Sequence, residues 1–308
     1  MNQQPTLTIG ISSYNEGRAI LPTLRSLWAG LVDLGREDSL FVLSDSSDSV
    51  DTVESFELWA QQVSANVEIH HSDVRRSLKE ALNAILDVTE SEVLICVVAD
   101  VVVPPESLRA LLNHLTCAAG CDAAIGVSSP IRRGRGVAGR ASTWQLNIVY
   151  RLARSLRSTA VRADGVFWGA RRSFYQSFRY RVGTGSIADD VQLSEGLSGA
   201  GWRVRNATDA VVYKVPASSL RDFAVTTLRT AASNINGVRT PGRWVAALRE
   251  AALDPLGALC YLIARAYAAI RHSSLRSVVE TEYWEVASTT KLADSPREEP
   301  GTSDYLKR

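Results

Sequence analysis

The sequence predicts an α/β fold, with a mostly parallel central sheet flanked by helices and a helical extension at the C-terminal end. Three observations carry this. Strand and helix signals alternate through the first third, as parallel sheets with helical crossovers require. Val93-Leu94-Ile95-Cys96-Val97-Val98 is a continuous apolar run of the kind buried on both faces of a sheet. Beyond Pro216 the strand signals stop and apolar stripes at helical spacing take over.

Leu7-Thr8-Ile9-Gly10-Ile11 reads as the first strand. It is followed by a helix carrying Ile20, Leu24, Leu27, Leu31 and Leu34 on one face, with Pro22 in its first turn. Leu40-Phe41-Val42-Leu43 is the second strand, a helix is expected from about Asp51 to Val63, and Val67-Glu68-Ile69 is the third strand. A helix near Leu78–Leu86 leads to the Val93–Val98 strand, which ends at Ala99-Asp100. Pro104-Pro105 then opens a helix with Leu108, Leu111, Leu112 and Leu115 on one side. Ala123–Val127 and Gly165–Ala170 read as strands, Trp144–Leu156 as a helix, and Asp189-Asp190 as the start of a helix stopped by glycine near Gly199. Val211-Val212-Tyr213 closes the regular part. Downstream, Leu256, Leu259, Cys260, Ile263, Tyr267 and Ile270 form a helical stripe, and the polar tail from about Ala287 is expected to be disordered. The divisions expected are 1–120 for a first α/β half, 121–215 for a second half, 216–286 for C-terminal helices and 287–308 for the tail.

Composition excludes several classes. With 45% hydrophobic and 22% charged residues the chain is ordinary for a globular protein. No window reaches the roughly 20 apolar residues of a membrane span, and the N-terminus carries no secretory signal, so a cytoplasmic location is expected. Cys96, Cys117, Cys121 and Cys260 have poor metal-site spacing and read as buried, reduced thiols. The net charge of +1 hides a basic block: Arg132, Arg133, Arg135, Arg140, Arg151, Arg154, Arg157, Arg162, Arg171, Arg172, Arg179 and Arg181 are accompanied only by Asp164. Such a block suits an anionic partner or a solvated basic face. It carries no recognised nucleic-acid motif, and nucleic acid is not expected as a partner.

Ligands of open parallel sheets bind beyond the carboxyl ends of the strands. That rule selects Ser12-Ser13-Tyr14-Asn15-Glu16, Ser44-Asp45-Ser46-Ser47-Asp48 and Asp100. Tyr14 offers a face for a nucleobase, and Asp45 a carboxylate for a base N–H or a ribose hydroxyl. Asp100 can hold a metal at a diphosphate or simply cap the following helix. Asp189-Asp190 supplies either a helix cap or a general base for an acceptor hydroxyl.

The order Ile9-Gly10-Ile11-Ser12-Ser13-Tyr14-Asn15-Glu16, Ser44-Asp45-Ser46-Ser47, Arg76…Ala81-Leu82-Asn83, Ala99-Asp100-Val101-Val102-Val103-Pro104 and Asp189-Asp190-Val191-Gln192-Leu193 resembles family 2 glycosyltransferases. The likeness continues through Ala200–Val204 and Asp209–Tyr213, and covers roughly residues 6 to 230. It implies a GT-A fold, Rossmann-like in its first half, and an inverting transfer from a nucleoside-diphosphate sugar, a UDP-sugar first among them. By the resemblance, Ser12, Tyr14, Glu16, Asp45 and Arg76 contact the donor. Asp100 is the surviving carboxylate of the DxD motif that binds Mg²⁺ or Mn²⁺, Asp190 the base and Asp189 the preceding acid.

Departures from the family pattern are specific. Val98 replaces the first Asp of DxD, Ser44 the first of an Asp pair, and Ser77-Leu78 the usual Gly-Lys. Lys214 stands where many relatives have a metal-binding histidine. Two readings follow: Asp100 holds the metal unaided, or Lys214 supplies the positive charge at the leaving diphosphate. No QxxRW motif is present near Leu228-Arg229, so a non-processive enzyme is expected. From Arg221 to Arg276 eight arginines face three acids on amphipathic helices, which can lie on a membrane, pack on the core or form a homodimer. A phosphate- or lipid-bearing acceptor and a peripheral contact with the cytoplasmic membrane face fit this charge. The alternative function is a catalytically silent GT-A relative that binds a nucleotide sugar or a partner protein.

Overall fold

The alternation in the first third of the chain is realised strand by strand. The computed structural model describes residues 6–117, 120–155, 165–182, 189–199, 201–233 and 243–271. Strands β1 (Leu7–Ser13), β2 (Leu40–Asp45), β3 (Asn66–His71) and β4 (Val93–Val98) are joined by α1 (Leu21–Asp33), α2 (Asp51–Val63) and α3 (Leu78–Val88). Each helix starts on a local signal. Pro22 lies in the first turn of α1, and Asp51 and Glu54 in that of α2. At α3, Ser77 Oγ accepts from the Glu80 N–H while Glu80 Oε2 accepts from the Ser77 N–H, a reciprocal capping box.

The chain continues through β5 (Val101–Val102), α4 (Pro105–Thr116), β6 (Ala123–Pro130), α5 (Gly136–Ser155), β7 (Phe167–Arg171), α6 (Arg172–Ser177), α7 (Asp189–Ser198), β8 (Val204–Lys214), α8 (Leu220–Ser233), α9 (Arg243–Leu253) and α10 (Pro255–Ile270). The strands form one sheet in the order β3-β2-β1-β4-β7-β6-β8-β5. The first four are parallel, so β1, β2, β3 and β4 end on the same edge. Because β7 runs antiparallel to β4, its N-terminal end arrives at that edge too.

Period-two alternation divides the core. Ile9, Ile11, Leu43, Ile95 and Val97 face α1, α2 and α4, whereas Val42, Leu94, Cys96 and Trp168 face α3, α6 and α7. Gly10 permits the close approach of α3, since a Cβ there would sit 2.4 Å from Ile85 Cγ2. Burying both faces of β1 and β4 accounts for their near-continuous apolar sequences.

Helices α5, α8, α9 and α10 form a layer with its own small core of Ala141, Phe223, Cys260 and Ala264, and Trp144 packs on Tyr261 at 4.6 Å between ring centres. Several boundaries differ from the sequence reading. Helix α5 begins at Gly136, well before Trp144, and packs with the C-terminal helices. Strand β8 extends back to Val204, since its polar first half hides it from a pattern search. Cys96, Cys121 and Cys260 are buried as expected, but Cys117, just past the end of α4, is exposed. The stripe read along α10 is split: Cys260 points inward, and Leu256, Leu259, Ile263 and Ile270 point out. The expected tail, with Arg157 and Arg162, lies outside the described residues.

Candidate active site

At the ends of β1 and β2 the side chains form a closed network. Asp45 is fully buried. Its Oδ1 accepts from Ser13 Oγ at 2.6 Å and Ser47 Oγ at 2.6 Å, and its Oδ2 accepts from the Ser47 N–H at 3.1 Å. His71 Nδ1 lies 2.9 Å from the same Oδ2. Asp45 ties the ends of β1, β2 and β3 together, as a buried carboxylate needs its lone pairs filled.

The surface above this network is built by Tyr14, Asn15 and Asp48. Asn15 takes a left-handed backbone conformation, φ 55°. This turns its side chain onto Asp48: Asn15 Nδ2 donates to Asp48 Oδ2 at 2.8 Å, and the Asp48 N–H donates to Asn15 Oδ1 at 2.9 Å. Tyr14 donates its hydroxyl to the same Oδ2 at 2.9 Å. These hydrogen bonds, Asn15's first, hold the Asp48 carboxyl below its usual range. The Arg75 guanidinium sits 4.2 Å above the Tyr14 ring, so one face expected for a nucleobase is already covered by a cation. Arg76 is half-buried next to the α3 cap, Ser12 is buried in register with Ser44 and Val98, and Glu16 opens a short 3-10 turn over Gly17–Ile20.

Asp100 occupies the turn between β4 and β5, and α1 fixes that turn. Thr23 Oγ1 donates to the carbonyls of Ala99 and Val101 at 2.8 and 2.7 Å, and the Val103 N–H donates to Ser26 Oγ at 3.0 Å. On the other side, β5 pairs with β8 so that Val101 lies opposite Lys214. The Lys214 carbonyl accepts from the Ile131 N–H at 2.8 Å. Residues 114 apart in sequence are thus brought to one corner: Asp100 and the position across from its neighbour, Lys214.

The acidic pair reaches the same edge by a different route. The Val166 carbonyl accepts from the Val98 N–H at 3.1 Å, which places Gly165 beside the end of β4. Gly165 has φ +59°, and a Cβ there would stand 2.8 Å from Asp189 Oδ2 and 3.5 Å from the Asp190 Cβ. Asp189 is buried and Asp190 half-buried at the start of α7. Burial first, and then the Asp190 charge, push the Asp189 carboxyl up to about 7, with Lys79 opposing the shift.

Sequence reasoning missed the residues that hold this pair. Lys79 is nearly buried on α3 and acts electrostatically on Asp189. Asn83 clamps the Tyr180 backbone from both sides, donating to its carbonyl at 2.9 Å and accepting from its N–H at 2.8 Å. Gln192 does the same for Arg181, accepting at 2.7 Å and donating at 3.2 Å. The legible signal was Ala81-Leu82-Asn83, whose asparagine proves to be a backbone clamp.

Among the described residues no group of three or more His, Cys, Asp or Glu side chains could hold a metal ion. A Mg²⁺-type ion is commonly held by one or two carboxylates together with substrate phosphates. Asp100 fits that limited share and only in company with a bound diphosphate. Beyond Lys214, a cavity of about 320 Å³ opens between the end of β6 and the helical layer. Its lining includes Pro130, Arg132, Arg133, Asn147, Glu250 and Asp254. Pro130 is the register partner of Lys214.

Comparison with known proteins agrees with this architecture. The profile described as "Glycosyl transferase family 2" matches residues 8–178. No curated protein sequence matches the chain. The fold is similar to that of mannosyltransferase PcManGT from Pyrobaculum calidifontis, solved with GDP-Man and Mn²⁺. That likeness has TM-score 0.57 and 19% identity, covering 90% of this chain and 80% of that one. It is similar to S. aureus TarS 1-349 at TM-score 0.51 and 15% identity, covering 88% and 92%. GalNAc-T7, solved with UDP, GalNAc and Mn²⁺, aligns at TM-score 0.50 and 14% identity over 68% of this chain and 43% of its own. At identities below 20%, these structural likenesses show a shared GT-A fold.

Proposed function

The chain belongs to glycosyltransferase family 2, and from that premise we propose that it moves a sugar, a hexose by preference, from a nucleoside-diphosphate donor to a hydroxyl or phosphate acceptor. The transfer inverts the anomeric carbon and is non-processive. The observation that carries this reading is the convergence of Asp189-Asp190, Asp100 and Lys214 on one sheet edge, reached through Gly165–Val166 and the β5–β8 pairing.

In this reading Asp190 is the base. It takes the acceptor's proton as the oxygen attacks, beside Asp189, whose carboxyl is pushed up to about 7 by burial and the Asp190 charge. The nucleoside rests on the rim made by Tyr14, Asn15 and Asp48, with Ser12, Glu16 and Arg76 beside it. Lys214 would meet the negative charge that develops on the leaving diphosphate, and an ammonium there lowers the cost of that charge. Asp100 would hold Mg²⁺ or Mn²⁺ with the diphosphate oxygens, and the ion would supply further neutralisation of the leaving group. The PcManGT and GalNAc-T7 structures, with Mn²⁺ and a GDP- or UDP-linked ligand, support testing both nucleotides, UDP first. In the cavity next to Lys214 Arg133 pairs with Asp254, and an acceptor bearing phosphate would meet Arg132 there.

Incubation with UDP- and GDP-sugars, followed by NMR of the anomeric proton in the product, tests the reading. The product should have the configuration opposite to the donor's. Asp190→Asn should lower turnover by about 10²–10⁴ without changing donor affinity. Retention of configuration, or an unimpaired Asp190→Asn, would remove Asp190 from the role of base.

A further inference from the structure

Helix α10 reverses the usual arrangement of a surface helix. The side it buries against α5 and α8 carries the small residues Gly257, Cys260, Ala264 and Ala268 at helical spacing, beside the half-buried Tyr261 packed on Trp144 and Phe223. Its large apolar residues point the other way, with Leu262 64% and Ile270 79% exposed. Helix α9 adds Leu248 and Leu253, at 70% and 62%. A helix resting on a core ordinarily turns its bulk inward, and a continuous exposed apolar face marks a surface that meets something.

Charge identifies what it meets. Every exposed residue from 245 to 271 is apolar or arginine, the arginines being Arg249, Arg265 and Arg271. The acids of these two helices are turned away: Glu250 pairs with Arg151 and Asp254 with Arg133. The Arg133 contact brings the β6–α5 connection alongside, where Arg132 and Arg135 are exposed. An apolar face with arginines at its margins and no exposed acid is complementary to anionic lipid. A second copy of the same face would bring arginine against arginine. No described helix is long and apolar enough to cross a membrane, and the segments Val245–Leu253 and Pro255–Ile270 meet at a bend of 120°. Two short bent arms suit a position in the plane of an interface.

We propose that the α9–α10 face docks on an anionic bilayer surface, with its leucines at the acyl boundary and its arginines at the headgroups. The test is flotation of the full chain with vesicles of phosphatidylcholine alone and of phosphatidylcholine mixed with phosphatidylglycerol. Mass in solution by light scattering is measured in parallel. The wild type should float with the mixed vesicles and far less with phosphatidylcholine alone. Leu262→Glu, at an exposed position that leaves the core intact, should lower partitioning about tenfold or more. Arg265→Gln should lower it about fivefold, with both variants melting like the wild type. Failure of the wild type to float overturns the proposal. If it fails to float, is dimeric, and becomes monomeric in Leu262→Glu, the face belongs to a second copy. Flotation unchanged in both variants also overturns it, because another surface would then be responsible.

Discussion

Asp189→Asn removes a carboxyl that the fold keeps protonated to near neutrality, so its effect is predicted to depend on pH. Burial, then the neighbouring Asp190 charge, raise the Asp189 carboxyl to about 7, against about 3.9 in an unfolded chain. Between those values the folded protein holds a proton that the unfolded chain has released. Stability therefore falls as pH rises, by about 1.4 kcal/mol per pH unit. Below about pH 4 both states carry the proton, above about pH 7 neither does, and the total change across the window is about 4 kcal/mol. Urea unfolding of wild type and Asp189→Asn from about pH 5 to about pH 8 reads this directly. The wild type should lose roughly 2–3 kcal/mol relative to the variant between about pH 5 and about pH 8, most of it by about pH 7. Parallel stability curves would refute the claim that the fold raises the Asp189 carboxyl and holds its proton.

Three further outcomes follow from the same geometry. Gly165→Ala introduces a Cβ against Asp189 Oδ2 at a positive-φ position. It should lower turnover about tenfold or more by displacing the acidic pair, while the melting temperature moves by only a few degrees. Asp45→Ala leaves Ser13, Ser47 and His71 without their shared acceptor. It should reduce stability by about 2–4 kcal/mol in urea, and a smaller effect than its neighbours' exposed substitutions give would contradict the closed network. Lys214→Ala should weaken nucleoside-diphosphate binding about tenfold by calorimetry, and an unchanged Kd takes the lysine out of the site.

The strands were legible because their burial is written locally: β1, β2 and β4 are apolar runs bounded by polar residues, and the polar ends mark the crevice. The function of each polar residue was less so. A sequence pattern places Asp45 at the end of β2 but cannot tell an inward carboxylate from an outward one. That depends on Ser13 and His71, which arrive from other strands. Lys79 reads as an ordinary helix-surface lysine, and only the tertiary fold buries it where it acts on Asp189. The orientation of α10 was hidden for another reason. Periodicity reveals an apolar stripe but leaves open whether it meets a membrane, the core or a second copy. The small-residue spacing of Gly257, Cys260, Ala264 and Ala268 was the available sign that close helix packing would win.

The central claim is that the sheet edge carrying Asp100, Lys214 and Asp190 receives a nucleotide sugar. The most direct measurement is thermal melting with UDP, GDP and their sugars, with and without Mg²⁺ or Mn²⁺, in wild type and Asp100→Ala. At a concentration 100 times Kd a bound ligand adds about 2.7 kcal/mol, which is readily seen as a shift in Tm. The account predicts a shift with one nucleotide that is reduced in Asp100→Ala. No shift with any nucleotide, under any metal condition, would contradict it and leave the chain as a family member that does not bind the donor.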